Sequence, residues 1–130
     1  MFLTIVRGDA WDETFQILWN GDPMDLNTCS LIRFTIKNDP EDLDSDALLR
    51  LSTGVGGVTI LTQSGDTLGM LTVEITAAQL AAMLLVAGRR AFWDIQVLLN
   101  DGRPKTPLMG EVLFPGDITR NYTGDVGTDT

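Results

Sequence analysis

The 130-residue chain contains no histidine, a single cysteine, and only 9 lysines and arginines against 18 acidic residues. Without histidine, His-based triads, imidazole proton shuttles and His-ligated zinc are excluded within the chain. The lone Cys29 can neither close an internal disulfide nor build a thiolate cage. A net charge of −9 opposes electrostatic binding to nucleic acid, whose phosphates are held by Lys and Arg. No apolar run approaches the roughly 20 residues that a membrane-spanning helix needs. The segment Met1 to Arg7 lacks the cationic start and long apolar stretch of a secretory leader. These absences predict a soluble protein, made in the cytoplasm, with no cofactor and with neither nucleic acid nor membrane as a partner.

What is present is enough for one core. Surface scaling for a chain of this mass predicts that about two-thirds of the unfolded surface is buried on folding. Most of the sequence alternates with period 2. Phe15, Ile17 and Trp19 alternate with Thr14, Gln16 and Leu18, and Ile32, Phe34 and Ile36 with Arg33, Thr35 and Lys37. Further strands are predicted near 48–51, at 58–61, through Leu71, Val73 and Ile75, at 91–99 and at about 105–114. Turn chemistry separates them at Asn20-Gly21-Asp22-Pro23, Gly54-Val55-Gly56-Gly57, Gln63-Ser64-Gly65-Asp66 and Asn100-Asp101-Gly102-Arg103. The exception is Thr76–Gly88. There Thr76 and Gln79 form a capping-box pair, alanines follow, and Gly88 suits the end of a helix. Many short strands and one helix predict an all-β fold, an antiparallel β-sandwich over residues 1–120. The tail 121–130 offers only Tyr122 and Val126 as apolar anchors and is expected to be flexible.

Motifs that could carry chemistry mostly resolve into ordinary structure. Asp42-x-Asp44-x-Asp46 matches the start of a calcium loop, but Ala47 stands where glycine is needed and Thr53 where the bidentate Glu belongs. A solvated acidic loop at 39–46 is the simpler reading. Arg7-Gly8-Asp9 and Gly54-Val55-Gly56-Gly57 read as turns, and Asn121-Tyr122-Thr123 carries little weight without a leader. Cys29 has no histidine to activate it and reads as a small buried hydrophobe. Trp19 and Trp93 fall on inward strand faces. Trp11, flanked by Asp9, Asp12 and Glu13, is the tryptophan expected nearest the surface. Leu80, Met83, Leu84, Leu85 and Val86 spread around the helix, more apolar surface than one sheet face covers. The helix is therefore expected either to sink between two sheets or to meet another subunit.

An ordered set of segments resembles a known family. It runs from Arg7-Gly8-Asp9 through Gly21-x-Pro23-Met24-Asp25-Leu26-Asn27-Thr28 and Ile32-Arg33-Phe34-Thr35-Ile36-Lys37. It continues with Gly57-Val58-Thr59-Ile60, Leu71 to Leu80 and Trp93-Asp94-Ile95-Gln96-Val97. Asp101-Gly102-Arg103 and Gly110-Glu111-Val112-x-x-Pro115-Gly116-Asp117-Ile118-Thr119-Arg120 close the set. Together they are similar to the immunoglobulin-like domains of tailed-phage virion proteins, especially the N-terminal domain of upper baseplate proteins. The resemblance spans about Val6–Arg120. It implies an immunoglobulin-like sandwich without catalytic residues, a structural module of the tail or baseplate that works through protein–protein contacts. Arg90-Ala91-Phe92-Trp93 departs from the aromatic pattern common in the family, and the long receptor-facing extension is missing. A capsid-decorating or head–tail connector protein therefore stands beside the baseplate reading.

The expected partners are other virion proteins and further copies of the chain in the particle. The expected contact residues are Arg7, Asp9, Trp11, Leu80, Met83, Leu84 and Val86. A carbohydrate-binding module using Trp11 and the acidic loop is the alternative from a different class. A hydrolase using a carboxylate pair ranks below both.

Overall fold

The computed structural model describes residues 2–5, 10–84 and 90–114. The expected tail at 121–130 and the helix end at Gly88 lie outside them. Along the chain run β1 (Phe2–Thr4), β2 (Trp11–Gln16), β3 (Leu18–Trp19), β4 (Asp22–Pro23) and β5 (Cys29–Lys37). They are followed by β6 (Leu49–Ser52), β7 (Val58–Ile60), β8 (Met70–Ile75), helix α1 (Ala77–Leu84), β9 (Arg90–Leu99) and β10 (Pro104–Leu113). The fold is all-β with one short helix, as the alternating pattern predicts.

The strands form a five-stranded sheet in the order β1-β10-β9-β5-β6, a three-stranded sheet β2-β8-β7, and the small ribbon β3-β4. β1 runs parallel to β10, whereas the other named pairings are antiparallel. Alternation decides what faces inward. Ile32, Phe34 and Ile36 of β5, and Ala91, Trp93, Ile95 and Val97 of β9, are all buried. Phe15 of β2 and Leu71, Val73 and Ile75 of β8 meet them from the other sheet. The rings of Phe15 and Trp93 lie 5.4 Å apart, and Phe34 stacks on Trp93 at 6.0 Å. This aromatic cluster joins the two sheets.

Helix α1 starts where the sequence places it. The Thr76 N–H donates to Gln79 Oε1 at 3.0 Å, and the Gln79 N–H donates back to Thr76 Oγ1 at 3.1 Å. Each side chain satisfies an amide that the first helical turn leaves unpaired.

Two side chains depart from expectation. Trp19 does not continue the inward face of β2. That strand ends at Gln16, the Ile17 N–H donates to Gly69 O, and the chain then folds into the β3–β4 ribbon. Asn20 and Gly21 take φ values of 55° and 88° at its turn, the left-handed pair that Asn-Gly supplies to tight hairpins. The ribbon turns Trp19 outward, to 37% exposure. Thr35, by contrast, lies on the outward face as alternation requires, yet is only 6% exposed. Pro40 and Met109 flank it on that face.

Candidate interaction surface

Register places the outward side chains of the five-stranded sheet in rows. Arg50, Thr35, Asp94 and Met109 form one row across β6, β5, β9 and β10. Lys37, Phe92 and Glu111 form the row on one side, and Ser52, Arg33 and Gln96 the row on the other. Three of the chain's nine cationic residues thus gather on β5 and β6. Apolar surface gathers on β9 and β10, where Met109 is 62% and Leu113 37% exposed beside half-buried Phe92. Arg90 and Glu111 pair at 3.5 Å along the same edge.

The acidic loop is solvent-exposed as expected, apart from half-buried Asp42, but it is tethered to the sheet. Lys37 Nζ donates to Asp42 O at 2.9 Å and pairs with Asp44 Oδ1 at 2.8 Å, folding the loop back over the outer face. Within the loop, Asp39 Oδ1 accepts the Glu41 N–H and Asp42 Oδ2 accepts the Asp39 N–H. Pro40 and Met109 then wall a groove of about 360 Å³ that runs over Thr35, Lys37, Phe92 and Asp94. A second concavity, of about 270 Å³, lies between Asp44, Arg33 and Leu98.

The electrostatics follow from this cover. Burial in the groove pushes the Asp94 carboxyl above its ordinary range, only partly countered by Lys37. A hydrogen bond from Lys37 holds Asp44 below the ordinary range, against a smaller opposing effect of burial. One ammonium therefore serves both the loop and the half-buried carboxylate.

The expected contact residues do not converge. Arg7, Asp9 and Val86 lie outside the described residues, as do the side chains of Met83 and Leu84. Trp11 is half-buried, with its ring 6.2 Å from Phe34 between the sheets. The acidic loop is tied to the outward side of β5, so Trp11 and the loop form no joint platform. Leu80 is fully buried in the core cluster and has no surface to offer a partner. The helix buries its first anchor because Leu80 falls one turn after the capped start, facing the sheets. Trp93 is buried as expected, and its Nε1–H has no hydrogen-bond partner among the described residues.

The outward rows escaped the sequence reading. Their signal was the three cations on β5 and β6, but the register that aligns them with β9 and β10 depends on long-range pairing. Among the described residues no group of three or more His, Cys, Asp or Glu is placed to hold a metal ion. No helix among them is long and apolar enough to cross a membrane. Burial raises the thiol pKa of Cys29, half-buried at the start of β5. No protein-family model matches the chain, and no curated protein matches it significantly.

Proposed function

We propose that this chain is a non-enzymatic structural protein of a tailed-phage virion, an immunoglobulin-like domain of the tail or baseplate that assembles through the outer face of its five-stranded sheet. The carrying observation is that face, on which exposed apolar side chains on β10 and cations on β5 and β6 flank the central strand β9. Apolar surface bounded by charge of both signs is the composition of a protein-contact patch.

Strand order supports the immunoglobulin-like part. The order β10-β9-β5-β6 corresponds to strands G, F, C and C′ of a variable-type domain, and β2-β8-β7 to B, E and D. The hallmark disulfide has no counterpart in a chain with one cysteine. The Phe15, Phe34 and Trp93 cluster fills the space between the sheets instead. The phage part rests on the ordered segments resembling that family, three of which form β5, β8 and β9.

Mass spectrometry of purified particles tests this function. The chain is expected in a fixed ratio to the other tail proteins. Its confinement to the soluble lysate, with particles free of it, overturns the reading.

A further inference from the structure

A second surface lies at the end of the molecule where the β3–β4 ribbon faces the β9–β10 turn. Between them is a concavity of about 540 Å³. Met24 and Leu99, both packed against the core, line it with apolar surface. Trp19 forms one wall. Lys105 Nζ sits 4.6 Å from the centroid of its ring, a cation–π contact at the surface.

The opposite wall is the β9–β10 turn. Asp101 Oδ2 accepts Arg103 Nε at 2.8 Å and lies 2.7 Å from a terminal guanidinium nitrogen. The Asn100 N–H donates to Thr28 O at 3.0 Å, fastening the turn to the start of β5. The backbone of the turn is thus fastened, while the Asp101–Arg103 pair stays open to solvent and to a ligand.

We propose that this pocket binds a neutral saccharide. The choice follows from the mixture of groups. Arg103, Lys105 and the Asn100 amide donate hydrogen bonds, whereas Asp101 and the Asn100 carbonyl accept them. Asp101 lines the site together with Arg103 and Lys105, so both signs of charge border it. A fixed anion or cation would meet like charge on one side. A hydroxyl donates and accepts, and is served by both. The indole, 37% exposed, offers apolar surface beside Lys105 against which the C–H face of a sugar ring rests. The pocket lies at the end of the molecule, apart from the grooves on the outer sheet face, so the inference stands or falls without the virion reading.

The test is an array of neutral oligosaccharides, followed by calorimetry of the best responder against the parent, Trp19→Ala and Lys105→Gln chains. Binding by the parent is expected to weaken about tenfold or more in Trp19→Ala, and by a smaller factor in Lys105→Gln, which removes the cation beside the ring. Thermal melting of each variant separates lost binding from lost fold. Trp19 and Lys105 lie at the surface, and both variants should melt as cooperatively as the parent. If Trp19→Ala unfolds, the Lys105→Gln chain alone decides. The proposal is overturned by no response across the array. It is equally overturned by affinity unchanged in the folded variants, or by an acidic peptide that binds the pocket more tightly than any sugar.

Discussion

Single residues decide where this chain tolerates change. Phe34 is fully buried and touches Trp11, Phe15 and Trp93, so its ring holds both sheets. Phe34→Ala should cost about 3–5 kcal/mol in chemical denaturation, the range for truncating a core aromatic. Two glycines with similar backbones should differ sharply. Gly69 has φ +82°, and a Cβ there would lie 2.8 Å from the backbone oxygen of Ile17. Gly21 has φ +88° with open space around it. Gly21→Ala should cost about 1 kcal/mol of conformational strain, and Gly69→Ala clearly more, because a backbone oxygen cannot move aside. Equal melting temperatures for the two variants would refute this ranking. Much at this scale is legible from sequence, since alternation alone assigns Phe34, Val73 and Trp93 to the core. Trp19 is misassigned because alternation continues through it while the Asn20-Gly21 turn bends the chain away. The Asn-Gly turn is visible in the sequence, but the break after Gln16 that starts the ribbon leaves the alternation unchanged.

At the scale of elements, the capping pair and the acidic loop carry separable predictions. Thr76→Ala should remove about 1 kcal/mol, the usual value of a helix cap, with the loss seen by denaturant unfolding. The loop depends on Lys37, and its pH behaviour follows from the sign of each shift. Asp94 has a raised folded pKa, so its charged form is disfavoured in the fold. That penalty sets in as pH rises through the ordinary carboxylate range and is complete above the raised value. Asp94→Asn should therefore stabilise the protein at neutral pH, and the gain should vanish by about pH 3. Asp44 has a lowered folded pKa, and its contribution is present above the ordinary range and lost as pH falls through the lowered value. Lys37→Met removes the loop's anchor and the cation beside Asp94 together. Its destabilisation should shrink by about 1 kcal/mol when combined with Asp94→Asn, as a double-mutant cycle would measure. Sequence alone gave the acidity of this loop but not its seat. The docking rests on Lys37 and on the buried outward Thr35, and only the paired register brings them beneath the loop.

Charge of both signs and apolar surface share the outer face of the five-stranded sheet, and Met109 is its most exposed apolar side chain. Met109→Glu should leave the fold in place, because the side chain is 62% exposed, at a cost of about 0.2–1 kcal/mol for the carboxylate set opposite Asp94. The direct test is sedimentation velocity on the parent and Met109→Glu chains over a range of concentrations. Assembly through this face predicts a parent that sediments above its 14.2 kDa monomer mass as concentration rises, and a Met109→Glu chain that stays monomeric while still melting cooperatively. A parent that remains a monomer throughout, or a variant that associates as the parent does, contradicts it.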